Sequence, residues 1–214
     1  MSEKPSIFTG DMVRAILQDR KDVTRRVIKP QPESTEMCPV VICKDVQSPS
    51  GYSFSSDMIG TVHIKPKYQK GDILWVKEPL VEYEIDDVSF TEAFYEADLK
   101  PCGVSWQWKK DRLPGMFMPK NFTRIWLEVI DVRPERLQDI TDEDAIREGI
   151  QKFEYMSYSV GYGTKKLALG VMPGTAREAF RRLWNKINAK RGFPREDNPW
   201  VWRIEFKKVK ISAD

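Results

Sequence analysis

Apolar positions recur along this chain with two periods, and the period sorts its segments. Met12, Val13, Ile16 and Leu17 are spaced by three and four. That is one face of an amphipathic helix over about 11–19, with Thr9 or Asp11 as its cap. Ala176, Ala179, Phe180, Leu183, Trp184 and Ile187 repeat the pattern and predict a longer helix over 175–188. Its outer face carries Arg177, Arg181, Arg182 and Lys186. Elsewhere the period is two. Val201, Arg203 and Glu205 alternate with Trp202, Ile204 and Phe206, which predicts a strand over 200–209. The β-branched run from Val23 to Ile28 predicts a strand that stops before Pro30. Residues 123–132 read as a long strand, 82–98 as a pair of short ones, and the apolar run after Gly71-Asp72 as a buried one. Thr141 with Asp144 reads as a capping box, opening a short helix over 142–148 that Gly149 closes.

The remaining stretches lack a period. Residues 30–69 hold Pro30, Pro32, Pro39, Pro66 and a Ser/Gly-rich patch, and read as a long insertion or flap. Residues 151–173 read as a second irregular segment, and Trp106, Trp108, Phe117 and Met118 fall in a linker-like stretch. This order of elements predicts an α+β fold, a small mixed or barrel-like sheet with helices on its outside. It lacks the regular alternation of parallel βαβ units.

Composition narrows the class. With 214 residues and 41% hydrophobic content, one domain is expected. No apolar run approaches the ~18 residues of a membrane span, and residues 1–9 lack the apolar core of a secretory signal, so a cytoplasmic protein is expected. Three Cys fit free thiols better than a disulfide framework. The single histidine, His63, makes a Ser-His-Asp triad improbable. Cys38 and Cys43 are spaced too widely for the usual zinc pair, even with His63 and Cys102 added. No phosphate-loop lysine motif and no Gly-x-Gly-x-x-Gly is present.

The net charge of +3 conceals segregation. Residues 82–98 and 128–148 are acidic, whereas 14–29, 175–195 and 203–210 are basic. Separated blocks either neutralise one another across the fold or build a positive face that attracts phosphates. The segment Lys21 to Arg26 is the chemically dense one. It sets a lysine, a hydroxyl (Thr24) and two guanidiniums (Arg25 and Arg26) at a helix-to-strand junction. A lysine beside a threonine activates that hydroxyl when burial and neighbouring cations lower its pKa. The alternative is that these are surface charges at the end of an amphipathic helix. Trp75, Trp126, Trp200 and Trp202 read as core, and Trp106 and Trp108 as better candidates for base stacking.

The run Ala15 to Arg26 resembles the opening motif of the ASCH domain family, with Lys21, Thr24 and Arg26 matching and Asp19 in place of the usual glycine. Gly71 to Val76 is similar to that family's next strand and Ile204-Glu205-Phe206 to its closing strand. The layout also resembles a phage and prophage subgroup, through Thr24-Arg25-Arg26-Val27, Gly71 to Glu78, Arg136 to Ile140 and Asn198 to Trp202.

The resemblance implies a PUA-like β-barrel with flanking helices, a single domain over 1–214 with insertions at about 31–69 and 82–121. It implies a host-cytoplasm location if the chain is phage-encoded. Similar bacterial proteins are amidohydrolases that remove the acetyl group of N4-acetylcytidine. Their lysine, threonine and glutamate fall on Lys21, Thr24 and Glu148, with Glu143 as the competing glutamate. The same resemblance surrounds the substrate with Arg25, Arg26, Trp75 and Glu78, and calls for no metal or cofactor. Two alternatives stand beside the enzyme. One is a module that binds single-stranded RNA or a modified base, with Arg177, Arg181 and Lys186 on the phosphates. The other is an ASCH-type ribonuclease.

Overall fold

A computed structural model describes residues 2–32, 41–44, 51–56, 60–84, 91–155, 159–163 and 174–210. The fold is α+β, dominated by strands. The first elements are β1 (Glu3–Ile7), α1 (Gly10–Leu17) and β2 (Val23–Val27). Thr9 caps α1, as its short hydroxyl side chain suits, accepting from the Met12 amide. Next come β3 (Val41–Lys44), β4 (Tyr52–Ser56), β5 (Gly60–Ile64) and β6 (Ile73–Lys77). The chain continues through β7 (Leu80–Glu84), β8 (Thr91–Tyr95), β9 (Lys100–Ser105), β10 (Arg112–Leu113) and β11 (Trp126–Arg136). It closes with α2 (Asp142–Arg147), β12 (Gln151–Tyr155), β13 (Ser159–Gly163), α3 (Ala176–Asn188) and β14 (Trp200–Val209).

The main sheet has five strands in the order β1-β6-β11-β14-β2. Only the β1–β6 pair is parallel. Alternation in β14 gives the sheet two different faces. Trp200, Trp202, Ile204 and Phe206 enter the principal core with Phe8, Val13, Ile16, Leu74, Leu127 and Val129. Val201 instead meets α3 and α2 through Phe180, Trp184, Ala145 and Ile150. Arg203 and Glu205 share that second face, and there they build an ion network.

The resemblance implies a small β-barrel of mixed strands, but among the described residues the sheet stays open between β1 and β2. No backbone ladder joins those edges. Arg26 spans the gap with its side chain, donating to the Ile7 carbonyl at 2.7 Å and to Ser6 Oγ at 3.4 Å.

Both expected insertions hold order. Within 31–69, β3, β4 and β5 form an antiparallel sheet. Phe54 of β4 is fully buried, edge-on to Trp200 and Trp202 at 5.7 and 6.3 Å. Burying a ring of that size stabilises by about 1.5–3 kcal/mol, so this segment is part of the core. Across 80–122, which takes in the insertion expected at about 82–121, β7 to β10 form a second sheet over its own cluster of Leu80, Tyr95, Leu113, Met118 and Phe122. Trp106 and Trp108 pack on each other and on that cluster, with centroids 4.8 Å apart, which leaves neither as a free stacking platform. The segment 151–173 contains the hairpin β12–β13, and its remaining residues lie outside the described ones. Among the described residues no helix is long and apolar enough to cross a membrane.

Candidate active site

The site grows from the turn between α1 and β2. Ala15 accepts the Arg20 and Lys21 amides through its carbonyl, and Asp19 takes a positive φ of 56° to reverse the chain. Lys21 then pairs with Glu148 in an isolated antiparallel bridge. Glu148 stands at the C-terminal end of α2, whose first turn is capped by Thr141, donor Asp144 N at 3.1 Å. Gly149 comes next, with φ of 99°. A Cβ there would meet the Ala15 Cβ at 2.9 Å. Only glycine allows both that backbone and that approach, so α2 ends tightly against α1 and delivers Glu148 to Lys21.

Lys21 and Glu148 are 127 positions apart, and each is 3% exposed. The ammonium donates to Glu148 Oε2 at 2.6 Å, to the Val23 carbonyl at 2.7 Å and to the Glu148 carbonyl at 2.9 Å. Three donors thus meet three acceptors. Burial lowers the Lys21 pKa from its ordinary value. Glu148 opposes that shift, while the charges of Arg26 and Arg25 add to it. Glu143 is exposed and makes no bond to Lys21, so Glu148 is the glutamate at the lysine.

Arg25 is buried on the other face of β2. It donates to Glu135 at 2.5 Å, to Asp144 at 2.7 Å and to Glu148 at 3.3 Å. The strand register sets Arg25 directly opposite Arg203 of β14. Like charges so placed repel. Asp144 resolves this by accepting from both, with one oxygen for each guanidinium. Burial alone would raise the Asp144 pKa, but the hydrogen bonds and charges of Arg203 and Arg25 outweigh it and hold it below the ordinary range. Arg147 continues the network, bidentate to Asp22 and 2.7 Å from Glu205. These groups fix Glu148 from behind.

Thr24 faces a cleft of about 410 Å³. β2 is an edge strand, so the cleft wraps its open side and gathers residues from both faces, Thr24, Arg25 and Arg26 together with Glu148. Phe8, Met12 and the α3 residues Phe180, Leu183 and Ile187 supply apolar wall. Arg26 lies over the Phe8 ring at 5.2 Å, and its Nε is buried without an acceptor. No hydrogen bond joins the Thr24 hydroxyl to Lys21, whose donors are all engaged.

Of the residues singled out in the sequence, Thr24, Arg25, Arg26 and Glu148 line this cleft, and Lys21 is buried behind it on Glu148. Trp75 and Glu78 do not. Trp75 sits on β6 under the Lys77 ammonium, 5.3 Å from its ring. Glu78 is buried against Arg124, two hydrogen bonds of 2.8 and 2.9 Å. Arg177 and Arg181 line a separate shallow depression with Asp142 and Glu178, and Lys186 is exposed on α3. Phe180, Leu183, Asn188 and Arg191 were missed as cleft residues. The α3 stripe carried the signal, but it reads equally as core. Of the possible thiol and imidazole ligands, Cys38 lies outside the described residues, and no metal-ligating cluster is found among the described ones. Cys102 is half-buried in β9, its pKa pushed up to about 11 by burial.

No family model, curated protein or solved structure matches the chain.

Proposed function

We propose that this chain is an ASCH-type, PUA-like amidohydrolase that deacylates the exocyclic amine of a cytidine nucleoside, with N4-acetylcytidine as the substrate to test. One observation carries the reading. Glu148, held 2.6 Å from the buried Lys21, lines with Thr24 a cleft large enough for a nucleoside. A structural ion pair has no need of a neighbouring hydroxyl or a cleft.

The reactive form has Lys21 as the neutral amine, the direction in which burial moves it. Lys21 takes the Thr24 proton as Thr24 Oγ1 bonds to the acyl carbon. The unpartnered Nε of Arg26 is a donor to the developing oxyanion. Collapse breaks the C–N bond as the proton that Lys21 took passes through the Glu148 carboxylate to the departing amine nitrogen. Water then attacks the acyl-threonine, giving a proton to Lys21 through Glu148, and Lys21 returns it to Thr24 as the acyl–oxygen bond breaks. The cycle ends with the acid, the free cytidine and the starting pair.

The test measures cytidine release from N4-acetylcytidine by chromatography. Wild type should release it, and Thr24→Ala and Lys21→Ala should each lower the rate by at least ~10³-fold while remaining folded. Retained turnover in Thr24→Ala removes the nucleophile and the mechanism with it.

A further inference from the structure

A second cleft, of about 470 Å³, lies on the far side of Arg26. It shares Ile7, Arg26, Val27 and Lys29 with the Thr24 cleft, so the two meet where the main sheet is open. Its charged lining residues are Arg26, Lys29, Lys65, Lys67 and Lys77, with no carboxylate among them. Nor does any of these cations form a salt bridge among the described residues. Arg26 donates to a carbonyl and a hydroxyl. Lys77 donates to the Met116 carbonyl, Lys29 lies over Phe193 and Lys67 over Tyr68. Several cations elsewhere on the molecule are paired, as in Lys4–Asp72, Arg112–Glu96 and Lys207–Glu128. A concave surface of one sign, unneutralised and walled by apolar groups, concentrates anions. Tyr68 and Trp202 form part of its wall and are buried, so the cleft is shaped as well as charged.

We propose that this cleft holds phosphate, so that the ligand of the two joined clefts is a phosphorylated nucleoside rather than the bare one. The inference rests on the nucleoside reading of the Thr24 cleft. Arg26 and Lys29 stand at the junction, where the first phosphate leaves the sugar, and Lys65, Lys67 and Lys77 receive the phosphates beyond it. Two sources share this chemistry, a free nucleotide and a single-stranded chain.

The experiment is calorimetric titration with cytidine, cytidine 5′-triphosphate and a single-stranded cytidine hexamer. It compares wild type with the double variant Lys65→Gln/Lys67→Gln, neither residue belonging to the proposed catalytic set. At least one phosphorylated probe should bind wild type tenfold or more tightly than cytidine. The double variant should lose that margin while its cytidine binding and its turnover of acylated cytidine stay unchanged. Tight hexamer with weak triphosphate identifies a chain as the source, and the reverse identifies a nucleotide. Added salt should weaken the favoured probe by a log–log slope of about 0.7 for each phosphate held in a single strand. Equal affinity for all three probes overturns the proposal, and so does a margin that survives the double variant. Cytidine release without a phosphate margin sinks this inference alone. A phosphate margin without cytidine release sinks the amidohydrolase reading and leaves the phosphate cleft standing.

Discussion

The Arg26 guanidinium donates to the Ile7 carbonyl at 2.7 Å and so joins the two open edges of the main sheet. A side chain thereby does what a strand ladder would do in a closed barrel, and it leaves a slot through which both clefts communicate. Lysine keeps the charge but loses the planar fork and its Nε donor. Arg26→Lys should therefore lower kcat by about 10–10²-fold, with a smaller change in KM, as expected for a donor that acts in the transition state. Steady-state kinetics on the acylated nucleoside check this. A pure KM effect would assign Arg26 to binding only.

The lowered pKa of Lys21 sets the sign of the pH dependence of activity. Burial is the main cause, with Arg26 and Arg25 assisting, so the amine loses its proton below the ordinary lysine value of 10.5. kcat/KM should rise with pH through an inflection below that value. Lys21→Arg holds its proton throughout and should be inactive across the range. A flat profile for wild type would show that Lys21 is not the base.

Glu148→Gln removes the carboxylate facing a fully buried ammonium. Breaking a buried pair from one side costs about 3–5 kcal/mol. Chemical denaturation should register a loss of that order. The double variant Lys21→Met/Glu148→Gln should recover much of it while remaining inactive. Recovery of stability without activity separates the structural role of the pair from its chemical one.

Acid should weaken the fold through Asp144 and Glu205. Burial raises both, but the arginines overcome it and hold both below their ordinary values of 3.8 and 4.5. The native state therefore binds fewer protons than the unfolded chain. This stabilisation is complete above the ordinary values and is lost as pH falls through the lowered ones. Glu135 works in the opposite sense, since burial outweighs Arg25 and raises its pKa. Urea midpoints measured from pH 6 down to 3 should fall, and the slope should be shallower in Asp144→Asn. An unchanged slope in that variant would place the acid sensitivity elsewhere.

Gly149→Ala adds a methyl where φ is 99° and the Ala15 Cβ would lie 2.9 Å away. Strain and overlap together should cost about 2–4 kcal/mol. The same change should push Glu148 away from Lys21, so activity should fall further than stability alone explains. Activity assayed well below the melting temperature resolves the two effects.

The sequence made some of this legible. The period of three and four located α1 and α3 within about two residues, and alternation located β14. Lys21, Thr24 and Glu148 were singled out by family-like spacing; Lys21 bonds to Glu148, and Thr24 shares a cleft lining with Glu148. The network behind them was not legible. Arg203 and Glu205 alternate with core residues and read as a solvated strand face, because no local signal marks Asp144 and Arg147 as their partners across the fold. Phe54 was hidden by the serines and glycines around it, although Tyr52 and Phe54 alternate as a strand requires. The lysines of the second cleft escaped because Lys65, Lys67 and Lys77 are too scattered to form a charge block. They converge only because β5, the segment after it, and β6 come together.

β2 carries Thr24, and among the described residues its only ladder partner in the main sheet is β14. Thr24 pairs with Ile204, so nearly the whole described chain must be made before β2 finds its ladder partner. Contacts of such long sequence separation carry a high loop-closure cost and form slowly. On the ribosome, α1 and β2 therefore emerge long before their template. Val23 and Ile28 are fully buried in the finished fold, so this stretch carries apolar surface that a chaperone can hold until β14 is made.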